Sequence, residues 1–312
     1  MANRVAAPPV ILGIVGDSGA GKTTLGQGVA EIIGTERVTF LSIDDYHRYS
    51  RAERLHRGLA AADPESNHLD IAEQHLHLLR RGEPVLRPSY DHAAGEPGPP
   101  VYVEPKPYLI VDGLLAFATP RLRESFDVKV FLEPDEELRV CWKTRRDMAN
   151  RGYTPDEVRE TIYTASVAAA RFVQPQRAHA DIVVVSDPRD DDLLGDGDPA
   201  NVNMRYILRP TLPNLISTPL LQTGASEGVN LELSRDLDGK PIDVLEVSGD
   251  ISGDSAERLE GAIWDLIPES SPVHDAIGRY GGGPESTSSH TLALTQLLVA
   301  YHLEHAVIGR RD

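Results

Sequence analysis

One string constrains this chain more than any other feature: Gly16-Asp17-Ser18-Gly19-Ala20-Gly21-Lys22-Thr23. It follows the apolar run Val10–Val15 and precedes the helically spaced stretch Thr23–Ile33. The string fits G-x-x-x-x-G-K-[ST], and the flanking strand and helix supply the context that pattern requires. Each part has a physical task. The glycines let backbone N–H groups turn inward around a phosphate, and the helix N-terminus adds a favourable dipole. Lys22 reaches the β- and γ-phosphates, while the Thr23 hydroxyl ligates Mg²⁺. The motif therefore names a site for ATP or GTP, formed by Gly16 to Thr23 with Thr24 beside them. By itself it does not name a reaction.

Around the motif, short apolar runs alternate with amphipathic stretches, as in βαβ units built on a parallel sheet. Val10–Val15, Arg37–Ile43, Tyr108–Val111, Val128–Leu132 and Asp181–Val185 read as strands. Thr23–Ile33, Asp135–Asn150 and Asp70–Leu79 read as helices, the last with Ile71, His75 and Leu78 on one face. The stretch Asp187–Pro199 is dense in Asp, Gly and Pro and marks a boundary. Beyond it, Asn203–Leu208, Asn230–Leu233 and Ile242–Val247 read as strands, Ala256–Leu266 and Thr291–Val307 as helices, and Gly281–Ser289 as a loop. The expected architecture is α/β: a P-loop kinase domain over 1–188, nucleoside-monophosphate-kinase-like, with a mainly parallel central sheet flanked by helices. A smaller C-terminal α+β part covers 189–312.

Charge narrows the partners. A net charge of −17 over 312 residues disfavours nucleic acid and anionic membranes, both of which demand a basic face. No apolar run reaches the roughly 18–20 residues that span a bilayer. The start has no apolar segment of the kind a secretion signal needs, which points to the cytoplasm. A lone Cys141 excludes an intramolecular disulfide and any multi-cysteine metal site. Only five of the 31 basic residues are lysine, and such an acidic, lysine-poor composition suits high salt.

Ligands of open α/β sheets sit beyond the carboxyl ends of the strands. Asp112 follows Leu109-Ile110-Val111, the arrangement of a second carboxylate associated with Mg²⁺. Asp44 and Asp45 follow Phe40-Leu41-Ser42-Ile43. A kinase needs a carboxylate beside the acceptor hydroxyl, and an aspartate at the end of the second strand can be that base. Arg48, Arg51, Arg54 and Arg57 recur every third residue, and Arg139, Lys143, Arg145, Arg146 and Arg151 form a second basic island. Arg binds phosphate through a bidentate fork, so an anionic acceptor would need such groups. The alternative is a solvated helix face balanced by Glu53, Glu136, Glu137 and Asp147. His47 is the one histidine near Asp44, whereas His56, His68, His75, His77 and His179 lack metal-ligand spacing. Tyr90 and His92 precede a Gly/Pro-rich stretch that reads as a flap or a surface loop.

Several strings resemble phosphoribulokinases: Ser42-Ile43-Asp44-Asp45-Tyr46-His47-Arg48, Asn67-His68-Leu69-Asp70, Leu86-Arg87-Pro88-Ser89-Tyr90-Asp91-His92, Arg146-Asp147-Met148-Ala149-Asn150-Arg151-Gly152-Tyr153 and Pro175-Gln176-Arg177-Ala178-His179-Ala180-Asp181-Ile182-Val183. The likeness continues through Val244-Leu245-Glu246-Val247-Ser248-Gly249 and the final helix. Uridine kinases are similar in the first part only. The resemblance implies roles. Asp44 would be the catalytic base, assisted by Lys22 and Lys143, while Thr23 and Asp112 would hold Mg²⁺. His47, Arg51, Tyr90, His92, Arg146 and Arg151 would face the sugar phosphate. ATP and Mg²⁺ would be the cofactors and a homodimer the assembly. Departures are visible too. Asp112-Gly113-Leu114-Leu115 stands where the family has Glu-Gly-Leu-His, and Ser166-Val167-Ala168-Ala169 where it has Arg-Arg-Pro-Asp.

Family members phosphorylate the primary hydroxyl of ribulose 5-phosphate. Ribose 1-phosphate presents the same problem, a phosphate at one end of a five-carbon frame and a primary hydroxyl at the other. Relatives in salt-loving archaea are expected to use it, and the salt-suited composition and altered segments favour it here. Ribulose 5-phosphate, a nucleoside, and an inactive nucleotide-binding regulator are the alternatives.

Overall fold

Continuous apolar runs become strands in this chain, and runs recurring every three or four residues become helices. The computed structural model describes residues 7–189, 202–212, 228–267, 277–280 and 287–308, with the backbone only for Asn150, Arg151 and Ile308. Most of the expected boundary segment, from 190 on, and residues 281–286 of the expected loop lie outside the described residues. The chain divides into two interleaved units. One takes Met1–Asp17, Glu36–Lys129 and Thr144–His179, and the other Ser18–Thr35, Val130–Lys143 and Ala180–Asp312.

In the first unit β1 (Val10–Gly16) and β2 (Val38–Ser42) both pair in parallel with β5 (Tyr108–Gly113). Every residue of β1 is buried, which is why it reads as an unbroken apolar run and not as an alternation. Gly13 interrupts that run because two phenyl rings close on it. A Cβ there would stand 2.5 Å from Phe117 and 2.8 Å from Phe126. The helix α3 (Leu69–Arg80) forms where periodicity predicts it, but Leu69, Ala72, Leu76 and Leu79 are the buried stripe. Ile71, His75 and Leu78 lie on its partly exposed flank. The Gly/Pro-rich stretch is not a plain loop. It is strand β4 (Glu96–Val103), paired antiparallel with β3 (Val85–Asp91) in a separate two-stranded sheet. Its prolines are tolerated because such a strand is an edge.

In the second unit the loop after β1 opens α1 (Lys22–Ile33), and β6 (Val128–Pro134) pairs in parallel with β7 (Ile182–Asp187) through Val130–Pro134. From β7 onward the ladder turns antiparallel: β8 (Asn203–Leu208), β10 (Pro241–Val247) and β9 (Val229–Arg235) follow in that spatial order. Strands beyond residue 189 thus extend a ladder begun before it. The helices α7 (Gly253–Trp264) and α8 (His290–Ile308) pack on each other, and α8 also packs on α1. Contact with α1 runs through Gly28, where any Cβ would collide with the Gln296 side chain. Gln296 accepts from Gly278 N at 2.7 Å and donates to Thr24 O at 3.2 Å. The C-terminal helix thereby buttresses the helix that follows the glycine-rich loop.

Candidate active site

The glycine-rich loop is built for backbone conformations that side chains avoid. Gly19 has φ +93° and Gly21 φ +90°, a region costing other residues about 1–2 kcal/mol. Gly21 is the N-cap of α1, with no side-chain cap and no acidic residue in the first turn. The positive end of the helix therefore meets no carboxylate of its own first turn, as phosphate binding requires. From α5 (Glu136–Arg151) two basic residues reach the loop. Arg139 donates to Glu136 at 2.6 and 2.7 Å and to Ser18 O at 2.9 Å. Lys143 is buried, and a Cβ on Gly19 would stand 2.8 Å from Lys143 Cβ. Glycines in strained backbone, an uncapped helix start and two basic side chains fit a triphosphate. Thr23, in the first turn of α1, offers the hard oxygen that Mg²⁺ prefers.

Within the first unit, strand register sets three chain segments level. Ser42 lies opposite Asp112, and Asp112 opposite Ile14. Asp112, Asp44 and the start of the glycine-rich loop all leave the carboxyl edge of this ladder. Asp44 sits half-buried in a 3₁₀ turn, Ile43–Tyr46, and its Oδ1 accepts from Leu114 N at 2.8 Å. No hydrogen bond to Asp44 Oδ2 is found among the described residues. Leu114 is held in turn by buried Gln176, which donates to Leu114 O at 2.7 Å and Phe172 O at 2.8 Å. Gln176 also accepts from Phe117 N at 2.8 Å. Asp17 accepts from Gln174 at 2.8 Å.

The four evenly spaced arginines receive four different tasks. Arg48 donates to Asn67 O at 2.9 Å and faces Asp70 at 3.6 Å. Arg51 opens α2 (Arg51–His56), a helix capped by a Ser50–Glu53 capping box. Its guanidinium donates to His92 O at 2.6 Å and Ala93 O at 3.5 Å, clipping the β3–β4 turn. Arg57 is exposed, over the Tyr49 ring. Arg54 alone is buried. It donates to His47 Nε2 at 3.1 Å, lies 5.7 Å from the centroid of the Tyr90 ring, and has no carboxylate ion pair among the described residues. Such a charge is expensive to bury. Glu53 serves as the helix cap and does not balance it, so the solvated-face reading fails for Arg54.

His47 completes the cluster. It is buried, with Nδ1 2.7 Å from Asn67 Oδ1, and its ring stacks edge-on with Tyr90 at 4.7 Å and His92 at 6.1 Å. Burial and the Arg54 charge push its pKa down to about 4, while Asp44 and the bond to Asn67 act the other way. It is neutral near pH 7. Tyr90 donates to Gly95 O at 2.7 Å, and burial raises its pKa. Asp45 pairs with Arg87, with His92 Nε2 at 3.8 Å. Asp44, His47, Arg51, Tyr90 and His92 are thus one cluster. Arg146 is forked onto buried Asp147 at 2.8 and 2.9 Å. The Arg151 side chain lies outside the described residues. Leu115, in the family's histidine position, is buried. Sequence reasoning named Arg54 and Arg139 only as members of the two basic clusters, and gave Asn67 and Gln176 no individual role. Only the rarity of basic residues in so acidic a chain hinted at the two arginines.

The family described as Phosphoribulokinase / Uridine kinase family matches residues 11–192. Phosphoribulokinase from Synechocystis sp. is 34% identical over 175 residues, covering 56% of this chain and 53% of the relative. Uridine kinase from Chloroflexus aggregans is 33% identical over 182 residues, covering 56% of this chain and 86% of the relative. The chain spans about half the length of the phosphoribulokinases it matches. Among solved structures, phosphoribulokinase from Rhodobacter spheroides shares the fold with a TM-score of 0.59 at 19% identity, over 84% of this chain and 97% of that one.

Proposed function

The chain belongs to the phosphoribulokinase / uridine kinase family, and from that premise we propose that it is an ATP-dependent kinase. It moves the γ-phosphoryl group of ATP to the primary hydroxyl of a pentose monophosphate, giving a pentose 1,5-bisphosphate. One observation carries the choice of acceptor. A half-buried carboxylate, Asp44, and a buried guanidinium with no carboxylate ion pair among the described residues, Arg54, belong to the same cluster. The first suits a hydroxyl and the second an anion, so the acceptor should carry both. A nucleoside has the hydroxyl but no anionic group to repay the burial of Arg54.

In this reading Asp44 takes the proton of the attacking hydroxyl through Oδ2, its Oδ1 being held by Leu114. Such general-base help is worth about 10²–10⁴ in rate. Lys22 and the backbone of Gly16–Thr24 would hold the ATP phosphates, and Lys143 would assist the transferred group. Thr23 and Asp112 would hold Mg²⁺, which would offset the charge of the phosphates. His92, Tyr90, Arg146 and Arg151 complete the acceptor's surroundings. Residues 1–188 would act as the kinase domain and 189–312 as its support, in a cytoplasmic homodimer.

Ribose 1-phosphate is the favoured acceptor, supported by the salt-suited composition and by Leu115 and Ser166–Ala169 in place of family residues. Ribulose 5-phosphate is the second reading, supported by the 34% identity to the Synechocystis enzyme. A coupled ADP-release assay at high KCl, with each pentose phosphate, uridine or no acceptor, separates them. Turnover with ribose 1-phosphate is the expected result. Turnover with uridine alone, or ADP release without any acceptor, would overturn the proposal.

A further inference from the structure

We propose that Asn67 is a positioning residue that locks His47 in one neutral tautomer, so that His47 serves as the acceptor that aims the Arg54 guanidinium. The hydrogen bonds leave no other assignment. The Asn67 Nδ2 atom lies 2.9 Å from Ala61 O and 2.8 Å from Asp63 O. Carbonyls only accept, so the amide nitrogen must be there and both its hydrogens are used. Asn67 Oδ1 is then purely an acceptor, and His47 Nδ1, 2.7 Å away, must carry a proton. On the other side of the ring, Arg54 Nη1 can only donate, so Nε2 at 3.1 Å must be bare. All three side chains are buried, so water cannot readily substitute for any partner.

Backbone geometry supports the same register. His47 and Asn67 form an antiparallel bridge, flanked by His68 N to Tyr46 O at 2.8 Å and Arg48 N to Ser66 O at 2.8 Å. A carboxylate in place of the imidazole would neutralise Arg54 within the fold. A neutral imidazole fixes its direction while leaving its charge for an outside anion. His47 therefore does not act as a cationic phosphate ligand. The charged and titratable groups facing it are Arg54 from α2, Asp44 from its own turn, and Tyr90 and His92 from the β3–β4 hairpin.

Because this builds on Arg54 as the acceptor's anchor, the test needs one arm free of substrate. In the full chain with ¹⁵N-labelled histidine, long-range ¹H–¹⁵N spectra should show His47 with a protonated Nδ1 and a bare Nε2. The pattern should hold from about pH 8 to about pH 5.5, and the signal is assigned by its loss in His47→Gln. A protonated Nε2, or titration near the ordinary histidine value, would overturn the lock whatever the substrate proves to be. The second arm is kinetic. In Asn67→Asp the carboxylate favours a protonated His47, which would repel Arg54. The ratio of variant to parent KM for the pentose phosphate should climb about tenfold between pH 8 and pH 6, with kcat and the KM for ATP retained. A flat ratio, or equal losses in kcat and both KM values, would reduce Asn67 to a structural residue. If no pentose phosphate is turned over, the acceptor reading fails while the spectra still decide the tautomer.

Discussion

Replacing Arg54 by methionine should separate stability from acceptor binding. Without acceptor, the guanidinium is buried against one neutral imidazole at 3.1 Å and one aromatic ring at 5.7 Å. Its removal loses a hydrogen bond of about 0.5–1.5 kcal/mol and a cation–π contact of about 0.5–2 kcal/mol, and leaves His47 Nε2 unpaired at about 1–3 kcal/mol. Against this stands relief of a buried charge that has no carboxylate ion pair among the described residues, worth several kcal/mol. The terms offset, so net stability should change by no more than about 2 kcal/mol, or roughly 4–8 °C in Tm. Acceptor binding has no such compensation. Loss of a charge-assisted contact to phosphate costs about 1.5–3 kcal/mol, so KM for the pentose phosphate should rise about 10–150-fold. Because the anchor binds ground and transition states alike, kcat and the KM for ATP should stay within about threefold. The assays are coupled ADP release against acceptor concentration and a thermal melt at the same salt. A folded variant with acceptor KM within about twofold of the parent would refute the anchor.

Other perturbations address the remaining parts. Asp44→Asn should lower kcat by about 10²–10⁴ with ATP affinity unchanged, measured by turnover and nucleotide titration; near-normal turnover would remove Asp44 as base. Gly19→Ala forces a side chain into φ +93° and against Lys143, so ATP affinity should fall at least about tenfold by calorimetry. Burial also pushes His302 down to about 3. Like His47, it is a base whose folded pKa lies below its unfolded value near 6.5. Its stabilising neutral state is complete above that value and lost as pH falls toward the folded pKa. Each of the two should steepen acid destabilisation by up to about 1.4 kcal/mol per pH unit in that window. Among the described residues neither ring nitrogen of His302 has a hydrogen-bond partner, so His302→Leu should hold or raise Tm and flatten the acid limb of a Tm–pH series.

Much of the fold was legible because its signals are local. The unbroken run Val10–Val15, the glycine-rich string and the 3.6-residue spacing of Thr23–Ile33 each sit in one stretch of chain, and each formed where expected. The helix α6 (Pro155–Ala168) was equally legible from its Thr154–Glu157 capping box and Pro155, though the apolar pattern alone missed it. Helix faces and the hairpin were harder. Which side of α3 is buried depends on its neighbours, and a proline-rich strand defies strand propensity unless it lies at an edge.

The acceptor cluster divides along the same line. Residue order alone put a carboxylate after β2 and a lysine in the phosphate loop, because one contiguous motif holds each. It also put four arginines at equal intervals after Asp44, and nothing in that spacing distinguishes them. Folding does. Asn67 and Tyr90 arrive from 13 or more residues away to enclose Arg54 with His47, whereas Arg48, Arg51 and Arg57 find a carbonyl and a carboxylate, a hairpin tip and solvent. Burial and hydrogen-bond partners are properties of packing between distant segments, so only the tertiary structure could choose which guanidinium is buried against an imidazole.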